Sequence, residues 1–159
     1  MKKLKFLVIH CTATPEGRNH TPDDIRKWHL SPAPTGRGWQ QVGYSDMILL
    51  DGTVVNLVPY GDSQYVEPWE ITNGVAGINN VSRHVVYVGG CDVAMKPRDT
   101  RTASQRTALA NYIRDFIGKH PDILITGHNQ FDRKACPSFS VPEWLRSISI
   151  PQQNIYIPK

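Results

Sequence analysis

Three side chains that can take part in metal or nucleophile chemistry, His128, Lys134 and Cys136, fall close together in one short stretch of the chain. Imidazole and thiolate are ligands that Zn²⁺ prefers, and a neighbouring ammonium or metal ion lowers the pKa of a thiol. The stretch therefore predicts part of a metal site. Zinc needs at least a third protein ligand, and a catalytic zinc keeps a further position open for water or substrate. Another part of the chain must supply that ligand.

Local sequence patterns indicate how these side chains are held. The apolar run 123–125 predicts a short buried strand that Gly127 ends, so His128 falls where side chains emerge from a sheet. Pro137 favours extended backbone angles at Cys136. Lys134 and Cys136 are two residues apart, so both can project the same way.

His10 is a further candidate ligand. Residues 4–10 are mostly apolar and predict a buried first strand that His10 closes. Alternation along a strand directs His10 and Cys11 to opposite faces, so only one of them can reach a common site. A hydrogen-bonded histidine at a strand end explains His10 equally without any ligand role.

Tyr44 is the remaining candidate for chemistry. Asp51-Gly52 between two apolar, β-branched runs is the strongest short hairpin signal available in a sequence. Tyr44 lies near the open end of that hairpin, where a core tyrosine with a satisfied hydroxyl is the alternative to a catalytic acid. Asp46 follows two residues later and is expected to share the face of Tyr44.

The other elements predict strands and helices in alternation. Helices are expected after Thr21, after the capping box Thr102–Gln105 as far as Gly118, and after Ser140. The helix that follows Thr102 connects the strand predicted at 85–90 to the one at 123–125, which favours parallel pairing with a right-handed crossover. The segments without such patterns are expected to be a groove-bordering connection (31–38), irregular loops (61–80) and a tail across the surface (149–159).

Length and composition limit the possibilities. A chain of 159 residues is expected to form one domain whose core needs no disulfide bonds, and three cysteines without paired spacing do not predict any. Its apolar residues, 40% of the total, are interrupted by charges, so we expect a soluble cytosolic protein without a membrane span or hydrophobic signal segment. The net charge of +4 favours an anionic partner, but scattered basic residues are typical of a solvated surface and do not indicate specific nucleic-acid binding.

Several short motifs occur in order along the chain: IHCTAT at 9–14, GWQQVGY at 38–44, DGTV at 51–54, VGG at 88–90, GH at 127–128 and KACPSF at 134–139. Together they resemble the zinc-dependent N-acetylmuramoyl-L-alanine amidases of type 2. That family includes the amidase-type phage lysozymes and the peptidoglycan-recognition proteins. The similarity runs from about Lys5 to Leu145.

The resemblance implies a fold, a site and a reaction. The fold would be α/β, a single domain with a mixed central β-sheet flanked by helices as in the amidase-type phage lysozymes, with the zinc amidase domain over 1–148 and a tail at 149–159. The Zn²⁺ ligands would be His10, His128 and Cys136, with Tyr44 and Lys134 as the catalytic pair. The expected reaction is hydrolysis of the amide bond between N-acetylmuramic acid and L-alanine in peptidoglycan or muropeptides, by a monomer.

Three features depart from the family pattern. Ser45 and Asp46 follow Tyr44, where many relatives have histidine or asparagine and then an aromatic residue. Gly74 stands where some relatives have a histidine in the groove, and 31–38 is longer than in the compact phage enzymes. These differences leave the substrate preference open. Asp46 is a candidate for binding substrate or for altering the pKa of Tyr44. Asp46 and backbone carbonyls are candidates for orienting His10 and His128.

Two rival functions are weighed against the amidase. A noncatalytic peptidoglycan-binding module on the same fold would lack a ligand or a catalytic residue, and here all five positions are present. A metal-free hydrolase would use Cys136 as nucleophile and His128 as base. A wall-degrading enzyme without a signal segment must be released by lysis, a holin or a secretion apparatus. A phage or prophage lysin is therefore the expected setting, with an injected effector or a recycler of wall fragments as alternatives.

Overall fold

The computed structural model describes residues 1–159 and centres on a mixed, five-stranded β-sheet. This sheet has the strand order β5-β4-β7-β2-β9, in which β4, β7, β2 and β9 are parallel and β5 is an antiparallel edge strand. The expected mixed sheet is confirmed. The nine strands are β1 (Lys2–Lys3), β2 (Phe6–Cys11), β3 (Thr14–Pro15), β4 (Asp46–Ile48), β5 (Val54–Asn56), β6 (Tyr65–Val66), β7 (Ser82–Tyr87), β8 (Gly90–Cys91) and β9 (Leu124–Gly127).

Three α-helices accompany the sheet: α1 (Pro22–Leu30), α2 (Ala103–Lys119) and α3 (Val141–Ser147). The capping box at the start of α2 is formed, with Thr102 Oγ1 accepting from Gln105 N–H and Gln105 Oε1 accepting from Thr102 N–H. The helix continues through Gly118, where the prediction ended it. It stops after Lys119 because His120 precedes a proline and leaves the helical region. None of the helices is both long enough and apolar enough to cross a membrane.

The two faces of the sheet carry different side chains. Leu7, Ile9 and Cys11 of β2 lie in the larger apolar core, which also contains residues of α2 and α3. Phe6 and Val8 lie in a separate cluster on the opposite face, which His10 also faces. The predicted alternation is therefore observed, and β2 directs its histidine away from the main core.

Asp46 lies on the helix-covered side of the sheet, away from Tyr44. Its buried carboxylate accepts hydrogen bonds from the hydroxyls of Tyr60 (2.5 Å) and Tyr112 (2.6 Å) and from Asn56 Nδ2 (2.9 Å). The expectation that Asp46 shares the face of Tyr44 is wrong, because β4 begins at Asp46 and strand alternation does not extend back to Tyr44. Asp46 therefore holds α2 on the sheet and does not orient a ligand histidine.

The last residues of the chain pack against the end of the sheet. Ile150 and Ile155 are buried in the main core, and Ile155 pairs with Ile125 of β9. The ring of Tyr156 stacks on that of Phe131 at 5.2 Å. Two residues of the segment predicted to cross the surface thus contribute to the core, and they are isolated apolar residues that have no strand or helix periodicity.

Replacing Asp46 with alanine is expected to lower the free energy of unfolding by about 3 kcal/mol, because the three hydrogen bonds to its buried carboxylate are lost. Urea unfolding measures the change. The matched control is Asp62→Ala, at an exposed carboxylate, where we expect a change within about 0.5 kcal/mol. Unchanged stability of Asp46→Ala, together with weakened metal binding, would contradict this placement.

Candidate metal centre

His10, His128 and Cys136 converge at one edge of the sheet, and their nearest ligand atoms all lie within 4.8 Å of one another. His10 Nδ1 and Cys136 Sγ are 3.7 Å apart. Tetrahedral zinc with usual Zn–N and Zn–S bond lengths separates such a nitrogen and sulfur by about 3.6 Å. The group therefore fits a metal ion in both its donor chemistry and its spacing.

Parallel strands bring the two histidines together. β2 pairs in parallel with β9, so both strands end at the same edge, His10 within β2 and His128 directly after β9. Gly127 precedes His128 because a Cβ there would lie 2.8 Å from Val141 Cγ2 and from Asn129 Oδ1. The chain can thus pass closely under α3 and turn His128 into the site.

The loop that carries Cys136 is tied back to the end of β9. Asn129 N–H donates to the carbonyl of Cys136, and the Asn129 side chain donates to the carbonyls of Ala135 and Phe139. The peptide bond between Cys136 and Pro137 is cis. The three hydrogen bonds of Asn129 hold this loop folded back, so that the thiol of Cys136 lies beside the two imidazoles.

The proton states of the three groups differ. Burial lowers the pKa of His10 well below its usual value, so its imidazole is neutral, as a metal ligand must be. The neighbouring Cys11 thiol and burial together raise the pKa of Cys136, while the backbone N–H of Cys11 donates to Cys136 Sγ at 3.2 Å. A metal ion would therefore have to displace the proton of Cys136, and that backbone N–H is placed to stabilise the resulting thiolate.

A cavity of about 720 Å³ opens beside the three groups. Its walls are aromatic and polar, and the connection after α1 borders it through Arg37, which lies over the ring of Trp39 at 5.0 Å. The residues that line the cavity include Tyr44, Lys134, His128 and Cys136. The structure therefore places four of the five predicted site residues on one cavity wall, with His10 buried beneath them.

Tyr44 and Lys134 offer two different hydrogen-bond donors to this cavity. The ring of Tyr44 lies 5.0 Å from that of His10, and burial raises the pKa of its phenol, so the hydroxyl remains protonated. Lys134 is exposed on the loop that carries Cys136, with its backbone N–H bonded to the carbonyl of Asp132. Both groups can donate to a ligand that lies against the three metal-site residues.

Two residues that contact the candidate ligands, His84 and Asp132, were not predicted from the sequence. His84 Nδ1 lies 2.9 Å from His10 Nε2, and Asp132 Oδ2 lies 2.8 Å from His128 Nε2. His84 stands in an apolar strand and resembles a core residue. Its proximity to His10 follows from the register of β7 with β2, which places His84 opposite Val8, two residues before His10, and no local sequence pattern indicates that register. Asp132 is four residues after His128 in a polar loop, which by itself indicates nothing.

A mixed sheet with two imidazoles and a thiol at one edge, beside an open groove, is an arrangement typical of a metal-dependent hydrolase. The chain belongs to the type 2 N-acetylmuramoyl-L-alanine amidase family, because the sequence model of that family matches residues 1–139.

Individual relatives agree with this assignment. The endolysin of Enterobacteria phage K11 is 32% identical over 139 residues, which cover 87% of this chain and 83% of that protein. The fold is similar to that of the N-acetylmuramoyl-L-alanine amidase LysC from Clostridium intestinale, with a TM-score of 0.70 and 21% identity over 94% of this chain and 88% of that one. It is also similar to peptidoglycan recognition protein-LE, solved in complex with tracheal cytotoxin, with a TM-score of 0.69 and 19% identity over 98% and 84% of the two chains.

His29, on the cavity wall, generates a pH-dependence prediction. Its Nδ1 accepts from Gly43 N–H at 3.0 Å, and burial, with a smaller contribution from Arg37, lowers its pKa from 6.5 to about 4. His29 is therefore protonated below about pH 6.5 in the unfolded chain but only below about pH 4 in the folded protein. The free energy of unfolding consequently decreases as the pH falls from 6.5 to 4. Between pH 7.5 and 5 this amounts to about 2 kcal/mol.

Urea unfolding at the two pH values, with chelator present, compares wild type with His29→Asn. The asparagine oxygen can accept the same hydrogen bond but cannot titrate, so the variant should lose about 2 kcal/mol less than wild type on acidification. Equal losses in the two proteins would show that His29 titrates normally in the folded state.

Proposed function

We propose that this protein is a zinc-dependent N-acetylmuramoyl-L-alanine amidase that hydrolyses the amide bond between the lactyl group of N-acetylmuramic acid and the L-alanine of the stem peptide. The observation that carries the proposal is the convergence of His10, His128 and Cys136 beside a groove, in a chain of this family. The phage endolysins among its relatives support peptidoglycan as the substrate.

The donor set favours zinc over other ions. Two imidazoles and one thiolate suit a borderline-soft cation, whereas Mg²⁺ and Ca²⁺ prefer carboxylate and carbonyl oxygens. Three protein ligands with an open side toward the groove are typical of a catalytic site, since structural zinc sites use four. When bound, the ion supplies a Lewis acid that polarises the scissile carbonyl and lowers the pKa of water toward neutrality.

In this proposal, Tyr44 and Lys134 act on the charge that develops during hydrolysis. Negative charge accumulates on the former carbonyl oxygen of the substrate as the tetrahedral intermediate forms. The Tyr44 hydroxyl, which stays protonated, donates a hydrogen bond to that oxygen. The Lys134 ammonium, exposed on the facing loop, adds an electrostatic contribution from the solvent side.

The groove fits a glycopeptide strand. Trp28 and Trp39 supply aromatic surface, while Asn73 and Asn79 supply amide groups that can bond to a peptide or to acetamido groups. The related fold that was solved with tracheal cytotoxin, described as monomeric diaminopimelic acid-type peptidoglycan, supports a muropeptide as a ligand of such a groove. We propose that the protein acts as a monomeric lysin on the bacterial wall after its release by lysis, a holin or a secretion system.

Mass analysis of the products formed from purified peptidoglycan tests the reaction. We expect release of intact stem peptides that begin at L-alanine, lost with chelator and restored by Zn²⁺. Cys136→Ser should lose both zinc and activity. Cys91→Ser, at a buried free cysteine that is not a proposed zinc ligand, should keep both.

Other outcomes would identify the rival functions. Activity that survives the chelator but not Cys136→Ser would indicate a thiol hydrolase. Peptidoglycan binding without any cleavage would indicate a noncatalytic module, and cleavage within the glycan or within the peptide would refute the amidase proposal.

Tyr44→Phe and Lys134→Met are each expected to lower kcat by about 10²- to 10³-fold, because the first removes a hydrogen-bond donor to the developing oxyanion and the second removes a positive charge near it. Zinc content and unfolding midpoint should stay close to wild type, since neither residue is a proposed ligand. Arg133→Met, the neighbouring exposed cation, and Tyr65→Phe, an exposed tyrosine, are the matched controls and should retain full activity. Wild-type turnover in both site variants would show that neither group assists the reaction.

A further inference from the structure

Behind the buried ligand His10 lies a chain of hydrogen bonds that the proposed chemistry does not use. His10 Nε2 is 2.9 Å from His84 Nδ1, and His84 Nε2 is 2.9 Å from Asn79 Oδ1. The same Asn79 oxygen accepts from the backbone N–H of Val75 at 2.9 Å. This series of hydrogen bonds therefore starts at the backbone N–H of Val75 and ends at the imidazole of His10, which faces the thiol of Cys136.

The backbone N–H of Val75 is the starting point for assigning the hydrogen positions along this series of hydrogen bonds. The N–H of Val75 can only donate, so the Asn79 atom that it contacts is the oxygen and not the amide nitrogen. His84 Nε2 faces that oxygen and must carry a hydrogen. No carboxylate contacts the fully buried His84 ring, so it is neutral and its Nδ1 is an unprotonated acceptor.

The protonation of His84 in turn fixes that of His10. Since His84 Nδ1 is an acceptor, His10 Nε2 carries the hydrogen that it donates. The neutral His10 ring has only one such hydrogen, and its Nδ1 therefore holds a free lone pair. That nitrogen is the atom that lies 3.7 Å from Cys136 Sγ.

Packing prevents the His84 ring from turning away. His84 projects from β7, in the middle of the sheet, and is fully buried. The backbone of Gly74 lies directly against the ring, so that a Cβ at this position would come within 2.3 Å of His84 Nδ1. Glycine at 74 thus provides the space that His84 occupies, and any larger residue would displace the imidazole.

We propose that His84 is a positioning residue that, with Asn79, orients His10 and holds it in the tautomer whose Nδ1 can bind the metal ion. The proposal rests on the proposed metal site and adds a residue to it. A ligand ring held in one tautomer and one orientation loses less freedom when the ion binds, and the partners that hold such rings typically affect metal affinity 10- to 100-fold.

NMR of protein labelled with ¹⁵N in its histidine rings tests the proton positions directly, in the chelator-treated and the zinc-loaded protein. We expect His10 and His84 both to carry their hydrogen on Nε2 in the metal-free protein, and the His10 Nδ1 resonance to shift on addition of zinc. A hydrogen on Nδ1 of either ring, or zinc ligation through His10 Nε2, would overturn the proposal.

Zinc affinity, measured by competition with a chromophoric chelator, supplies an independent test. His84→Leu should weaken binding by 10- to 100-fold, whereas His84→Asn, whose side-chain oxygen can accept from His10 Nε2–H, should recover most of the loss. His120→Leu removes another buried histidine, bonded to Gln64 outside the cavity, and should leave the affinity unchanged. Equal affinities of wild type and His84→Leu would refute the positioning role.

The two proposals fail in distinguishable ways. A wild-type protein that binds no zinc would refute the proposed metal chemistry, while the ring resonances of the metal-free protein would still test the tautomers. A protein that binds zinc through His10 but shows the opposite tautomer at His84 would refute the positioning role alone.

Discussion

The parallel pairing of β2 with β7 and β9 is the constraint on which the candidate site depends. Parallel neighbours end at the same edge of a sheet, so the register that sets Ile9 opposite Gly127 also brings His10 beside His128. Because side chains alternate along a strand, a slip of β2 by one residue would turn the His10 side chain into the helix-covered core and the Cys11 side chain to the opposite face. The register of β2, buried on both faces, thus sets both the stability of the sheet and the ligand geometry.

One face of the sheet packs against the apolar core, and the other face carries the candidate site. On one side, α2 and α3 cover an apolar core, and the buried Asp46 carboxylate ties α2 to β4 through Tyr112. On the other side, the polar residues His10 and His84 lie within the sheet itself, where their hydrogen bonds must be satisfied by protein groups. A polar chain buried in this way specifies one arrangement of its members, which a metal site requires and an apolar core would not supply.

The sequence predicted which candidate ligands converge better than it predicted the residues that surround them. His128, Lys134 and Cys136 share one stretch, and the ordered motifs connected them to His10 and Tyr44, which lie far away along the chain. Residues that act through a partner on another strand have no local pattern, so His84 resembled a core position. Asp46 was misplaced because its face depends on where β4 begins, and the boundary of a short strand is poorly encoded in its residues. Likewise, Ile155 is buried where it pairs with Ile125 of β9, thirty residues earlier in the chain.

Proton states connect these observations to the metal. Burial keeps His10 and His84 neutral, so neither ring has to lose a proton before an ion can bind, whereas the thiol of Cys136 must. A cation bound at the proposed site would stabilise the thiolate of Cys136, which would then have a charged partner. In the proposed metal site, the binding energy of the ion would be added to the free energy of folding. The burial of His10 in β2, an internal strand of the sheet, would therefore couple metal binding to folding.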